Sequence, residues 1–273
     1  MLVEFLTAVR DHAFLQSALL AGLLASLACG VVGTYVVVRR ITAIAGSLAH
    51  CVLGGIGAAY YLQVVYGLEW LQPLYGAVVA ALLAAVIIGA ARTWSAERED
   101  TVISALWAIG MAVGVLFLFQ TPGYKADLVT YLFGNIVMVD PASLRILVLV
   151  DVAVLGVAVA FYQQLLALCF DEEFARLRGV RVGLLYTLLL ALAALTIVTL
   201  VYVVGVVLVI ALLTLPVAVA NRFVKRLWMV MGLAALLSAA LTTVGLGVSY
   251  SSDLPAGPTT IVLCGALYLL TQA

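Results

Sequence analysis

Residues 183–220 read GLLYTLLLALAALTIVTLVYVVGVVLVIALLTLPVAVA, without a single Asp, Glu, Lys or Arg. A membrane-spanning helix needs about 20 mainly apolar residues to cross roughly 30 Å of hydrocarbon. This stretch is long enough for two such helices, and we predict that it divides at Tyr202–Gly205. It therefore places the chain in the class of polytopic membrane proteins.

The composition of the whole chain supports the same class. Hydrophobic residues make up 66% of the 273 positions and charged residues 10%, and the mean hydropathy is +1.27. Soluble domains have roughly 45–50% apolar and about 25% charged residues. The net charge of zero gives no indication of nucleic acid as a partner. The four cysteines are scattered without CxxC spacing, which predicts neither a disulfide framework nor a zinc knuckle.

Outward from residues 183–220, hydropathy predicts an all-α bundle of eight or nine transmembrane helices within a single transmembrane domain, residues 1–273. The N-terminus has no positively charged leader, so we expect the first span to be retained. The apolar segment Asp127–Val139 is short, which favours a re-entrant or half-crossing helix. The predicted spans lie near Leu15–Val38, Ile44–Tyr66, Pro73–Ala91, Val102–Phe119, Ala142–Tyr162, Gly183–Val201, Val203–Ala220, Trp228–Gly247 and Pro258–Thr271.

Small residues recur at helical spacing in several of these spans. In lipid, small residues let helix backbones approach closely, because no hydrophobic drive exists between helices. We therefore assign helix packing to five glycines: Gly46, Gly54, Gly57, Gly110 and Gly114.

His50 is the main candidate for a metal ligand, and Ser47 lies three residues before it. Intramembrane polar groups are costly, and each is therefore a functional hypothesis. Neutral imidazole is the commonest protein ligand for transition metals, and the glycines around His50 leave room for an ion. The alternative is a histidine hydrogen-bonded to a neighbouring helix.

Two aspartates are weaker candidates for the metal path. Asp151 falls at the middle of an apolar span, where it either lines an ion path or is a packed acid held by hydroxyl groups. Asp127 is predicted at the outer membrane surface, where it would cap the short helix.

The loop at about residues 163–182 has an unusual charge pattern. Residues 169–183 read CFDEEFARLRGVRVG. Asp171, Glu172 and Glu173 favour a helix N-terminus, arginines follow towards its C-terminal end, and Gly179 allows a turn. The loop is either a solvated connector or a short amphipathic helix that docks into a groove on a soluble partner. Four loops, this one included, hold ten of the thirteen basic residues, which predicts that they are cytoplasmic.

Five motifs in order resemble the permease subunits of ATP-binding-cassette importers for zinc, manganese and iron, the ABC-3 family, from about His12 to Leu270. They are YVVVRRITAIAGSLAHCVLGGIGAA (35–59), DLVTYLFGNIV (127–137), DEEFARLRGV (171–180), VVGVVLVIALLTLPVAVA (203–220) and SYSSDLPAGPTTIVL (249–263).

The resemblance implies a permease in the bacterial cytoplasmic (inner) membrane that moves a divalent metal ion. Zinc and manganese are the main candidates for that ion, and ferrous iron is the next. It implies two permease copies, two cytoplasmic ATP-binding subunits and an extracytoplasmic metal-binding protein. The sequence has no GxxxxGK[ST] phosphate loop, so the partner subunits would use the ATP, and no permanently bound cofactor is expected. The coupling helix would be Asp171–Arg178, with Phe174 and Ala175 at the contact.

Many members of that family have an aspartate one helical turn before the histidine, and here that position is Gly46. His50 therefore lacks its usual carboxylate partner.

Three other functions fit parts of this sequence. A secondary, ion-coupled carrier also binds ions near broken helices, but we see no obvious inverted repeat. A permease for chelated iron or cobalamin belongs to families with longer chains and other loop motifs. An intramembrane hydrolase built on Ser47 and His50 lacks the strained turn that presents a nucleophile.

Overall fold

The structure is a computed structural model that describes residues 2–94, 99–122, 134, 136, 139 and 141–272. Over these residues it contains twelve α-helices and no strand. Their bounds are α1 Leu2–Asp11, α2 Ala13–Val38, α3 Thr42–Tyr66, α4 Pro73–Trp94, α5 Glu99–Gln120, α6 Pro141–Ala160, α7 Tyr162–Phe170, α8 Glu172–Leu177, α9 Val182–Val204, α10 Val206–Phe223, α11 Leu227–Ser252 and α12 Ala256–Leu270.

Eight of the described helices, α2 to α6 and α9 to α11, are long and apolar enough to cross a membrane. Helix α12 is a shorter apolar helix of 15 residues. The predicted all-α polytopic architecture and its number of spans are therefore confirmed. Almost all of the predicted half-crossing helix Asp127–Val139 lies outside the described residues.

The apolar stretch that opened the sequence is broken at Gly205, between α9 and α10. Gly205 has φ of 86°, a conformation that glycine adopts without a steric penalty. The predicted division at Tyr202–Gly205 is confirmed. Gly134 (φ 69°) lies against this break, and a Cβ added to it would collide with the Val204 carbonyl group.

The chain forms two compact units. The first comprises residues Met1–Arg40, Val129–Ala160 and Thr199–Ala273. In it α2 packs against α6, α10 and α11. The backbone of α2 comes so close to α11 that a Cβ added to Gly30 would lie 2.6 Å from the Cβ of Ala235.

The second unit comprises Ile41–Leu128 and Phe161–Val198. Here α3 packs between α4 and α5. A Cβ added to Gly54 would lie 2.8 Å from the carbonyl oxygen of Gly110, and one added to Gly57 would lie 2.6 Å from that of Gly114. Both distances are shorter than a normal van der Waals contact, so α3 and α5 approach backbone to backbone along this seam.

Candidate functional site

His50 is half-buried on α3, and its ring stacks on the indole of Trp107 from α5. The ring centroids are 4.7 Å apart and the planes are inclined by 18°. A stack covers one face of an imidazole, whereas a metal ion binds at a ring nitrogen on the edge. The contact with Trp107 therefore leaves the ligand chemistry of His50 intact.

Two side chains of α3 bond to carbonyl oxygens of α5 on this seam. The hydroxyl of Ser47, which is fully buried, donates a hydrogen bond of 3.0 Å to the carbonyl oxygen of Ile103. The thiol of Cys51 donates one of 3.2 Å to the carbonyl oxygen of Leu106. The hydroxyl of Ser47 and the thiol of Cys51 thus help to hold the two helices together.

Gly46 lies beneath the same indole. A Cβ added to Gly46 would lie 3.2 Å from Cζ3 of Trp107 and 3.4 Å from its Cη2. A Cβ at position 46 would therefore press on the six-membered ring of Trp107, which would have to shift by a few tenths of an ångström. The indole thus lies beside the position of the missing aspartate of the metal-importer pattern.

Asp151 lies on α6 in the first unit, whereas His50 and Ser47 lie in the second. Its residue surface is 4% exposed, and its Oδ2 has no hydrogen-bond partner among the described residues. An unpaired carboxyl oxygen at this burial carries a desolvation cost. The other predicted aspartate, Asp127, lies outside the described residues. The part of the chain that the structure describes contains no group of three or more His, Cys, Asp or Glu placed to hold a metal ion.

The loop after α7 contains the short helix α8, which Asp171 caps. The carboxylate of Asp171 accepts a hydrogen bond of 2.8 Å from the Phe174 backbone N–H, which satisfies one of the free donors of the first turn. Glu172 and Glu173 follow in that turn, where carboxylates interact favourably with the helix dipole.

The two faces of α8 differ in exposure. Ala175 is buried, whereas the Phe174 side chain is 46% exposed and has the guanidinium of Arg178 4.9 Å above its ring centroid. The chain then turns at Gly179, which has φ of 78°. The helix α8 therefore presents one aromatic side chain, Phe174, at the surface of the protein.

Glu172 joins α8 to the other helices of its unit. Its carboxylate forms an ion pair of 2.7 Å with Arg92 at the end of α4 and a longer one of 3.4 Å with Arg176. The Arg92 guanidinium lies 4.2 Å above the ring of Tyr186 on α9. The Tyr186 hydroxyl donates a hydrogen bond of 2.5 Å to Glu99 at the start of α5. We call Glu172, Arg92, Tyr186 and Glu99 the tether cluster.

Sequence reasoning missed three members of the tether cluster and the tryptophan beside His50. Arg92 is one of the ten basic residues of the loops predicted to be cytoplasmic, and its charge at the end of a span was the signal that could have indicated an ion pair. Tyr186 and Trp107 are aromatic residues inside apolar runs, a pattern that fits lipid contact equally well. Their partners lie more than 50 positions away along the chain.

Eight apolar spans, a histidine within one of them and a capped amphipathic helix in a connecting loop define the membrane-spanning subunit of a transport system. The chain belongs to the ABC 3 transport family, which it matches over residues 11–273. The predicted family is confirmed, and so is the location as a multi-pass protein of the bacterial cytoplasmic membrane.

Curated relatives span most of the chain. A probable metal transport system membrane protein of Chlamydia pneumoniae is 42% identical over 249 residues, which are 91% of this chain and 85% of that protein. The manganese import system permease protein ScaB of Streptococcus gordonii is 32% identical over 272 residues, 100% of this chain and 95% of that protein. Among solved structures, PsaBC from Streptococcus pneumoniae in complex with Fab aligns with a TM-score of 0.86 and 30% identity, over 99% of this chain and 95% of that chain.

Proposed function

We propose that this chain is the permease subunit of an ATP-binding-cassette importer that moves a divalent transition-metal ion into the cytoplasm. Two copies of one transmembrane domain, residues 1–273, form the pathway, two ATPase subunits supply the energy, and an extracytoplasmic protein delivers the ion. Relatives named as manganese import permeases favour manganese. Zinc and ferrous iron stay alternatives, because they carry the same charge and accept imidazole readily.

The observation that carries this proposal is α8 with its tether cluster. A docking helix must present a side chain to its partner and must also be held by the protein that it moves. Phe174 is exposed, Ala175 is buried, and Glu172 binds Arg92 at the end of a membrane span. A solvated connector needs none of these contacts. We assign ATPase coupling to Asp171, Glu172, Glu173, Phe174, Ala175 and Gly179.

The ion path is assigned to α3. A transport site must bind its ion strongly enough to load and weakly enough to release. One imidazole from His50, with the Ser47 oxygen or water completing the shell, meets that condition better than a closed four-ligand site. Asp151 and Asp127 remain weaker candidates for this path, and for Asp151 we favour a packed acid.

The proposal is tested by replacing Glu173 and Phe174 together with alanine in the permease co-expressed with its ATPase. Metal uptake into proteoliposomes should be abolished and the ATPase should no longer co-purify, while membrane insertion and folding are preserved. Phe223→Ala is the matched control, because Phe223 is 68% exposed at the end of α10.

A secondary carrier predicts the opposite result. If the purified permease alone accumulated metal in liposomes on an ion gradient, the proposed function would be wrong. Uptake of a metal chelate but not of the free ion would instead indicate a permease for chelated iron or cobalamin.

A further inference from the structure

We propose that Trp107 is a positioning residue for His50 that sets how tightly the metal ion is held. The inference rests on the proposed function, since it takes His50 as a ligand of the transported ion. It adds a residue on α5 that contacts the ligand through its ring face and contributes no donor atom of its own.

The stack restricts the imidazole of His50. With the two planes 18° apart and the centroids at 4.7 Å, the indole covers one face of the imidazole ring. Aromatic pairs of this kind stabilise a structure by more than the burial of their apolar surface alone would give. The stack thereby restricts the His50 side chain to few rotamers. In these rotamers the ring nitrogens, which lie in the imidazole plane, point parallel to the surface of the indole.

The position of Trp107 is set by the seam on both sides of it. Ser47 bonds to Ile103, one turn before Trp107, and Cys51 bonds to the adjacent residue Leu106. Three residues after Trp107, the Gly110 carbonyl oxygen packs on Gly54. These contacts fix the register of α5 on α3, so the indole lies over Gly46 and His50 together.

Metal binding adds a second interaction. An imidazole that binds a divalent ion acquires partial positive charge, and a cation over an aromatic face is attracted by the ring quadrupole. Trp107 therefore favours the loaded site over the empty one. Because position 46 is a glycine, the affinity of the site depends on indole and imidazole without a carboxylate from that turn of α3.

The test compares zinc binding by the purified transporter complex in nanodiscs. Loss of the stack in Trp107→Leu should raise the apparent Kd for Zn²⁺ about two- to tenfold, whereas Trp107→Phe, which keeps an aromatic face, should stay within about twofold of wild type. Gly46→Ala should weaken binding less than Trp107→Leu does, because its Cβ lies 3.2 Å from the ring and shifts the indole by only a few tenths of an ångström. In the Trp107→Leu background Gly46→Ala should add nothing, since the two changes act on the same contact.

A spectroscopic measurement separates positioning from a general effect on stability. With Trp70, Trp94 and Trp228 replaced by Phe, all tryptophan emission of the permease comes from Trp107. Zn²⁺ should change that emission with the same Kd as in direct binding, and His50→Ala should abolish the change while the complex remains folded.

The outcomes are distinguishable. The inference would fail, and the proposed function would stand, if His50→Ala lost zinc binding but Trp107→Leu bound zinc like wild type. It would also fail if zinc binding did not change the Trp107 emission. If the wild-type complex neither bound nor transported zinc, manganese or ferrous iron, the proposed function itself would fail.

Discussion

Breaking the ion pair between Glu172 and Arg92 should uncouple ATP hydrolysis from metal uptake. The atoms lie 2.7 Å apart, and the two side chains are 27% (Arg92) and 20% (Glu172) exposed, so the pair is shielded from water without being fully buried. Hydrogen bonds to charged groups contribute about 1.5–3 kcal/mol when well shielded, whereas exposed ion pairs contribute about 0–1 kcal/mol. An intermediate value of about 1–2 kcal/mol follows for this pair.

A loss of that size shifts the equilibrium between the attached and detached α8 by about five- to thirtyfold. Arg92→Met should have the larger effect of the two single changes, because it also removes the contact with the Tyr186 ring, worth about 0.5–1 kcal/mol. In both Glu172→Gln and Arg92→Met, we expect ATP hydrolysis to continue while the number of metal ions imported per ATP falls.

The assay measures ATPase activity and radioactive metal uptake in the same proteoliposomes. Arg176→Gln is the matched control, because Arg176 pairs with the same carboxylate at 3.4 Å but is 67% exposed. Its pair is expected to contribute only a few tenths of a kcal/mol. A double-mutant cycle on Glu172 and Arg92 with a coupling energy no larger than that of Glu172 and Arg176 would refute the reasoning.

Three further predictions concern the spans. His50→Ala should stop metal uptake without unfolding the protein or releasing the ATPase, even when the extracytoplasmic binding protein is saturated with metal. Wild-type uptake rates and metal selectivity in this variant would instead show that His50 serves only helix packing. Asp151→Asn should change thermal stability little and preserve most transport, because we favour a packed acid; loss of uptake in a stable variant would place Asp151 on the ion path. Gly205→Ala should lower the unfolding free energy by about 1–2 kcal/mol because φ is 86°, whereas Gly232→Ala, which meets nothing within 4 Å, should be neutral or slightly stabilising; equal melting temperatures would contradict this.

The spans were predictable because lipid leaves few alternatives. A backbone in hydrocarbon must satisfy its own hydrogen bonds, so an apolar run of sufficient length becomes a helix whatever its neighbours do. The helix α8 was predictable for a local reason, since its acids, its arginines and Gly179 lie within ten positions. Both features depend on residues that are close together along the chain.

The contacts of the candidate site were not predictable in this way. The pairing of Arg92 with Glu172 joins residues 80 positions apart, and it depends on how the helices of the second unit pack. The stack of Trp107 on His50 depends likewise on the register of α5 against α3. The sequence shows a glycine at position 46 where many related permeases have an aspartate, but only the packing shows that an indole lies against it.

The glycine seam between α3 and α5 has a mechanical consequence. At Gly54 and Gly57 the facing groups are backbone carbonyl oxygens of Gly110 and Gly114, and those two glycines in turn lie against Cys51 and Leu53. Two side-chain hydrogen bonds from α3 to carbonyl oxygens of α5 cross the same seam. Lengthwise slip would break all of these contacts together, so we expect α3 and α5 to move as one rigid pair in any rearrangement of the protein.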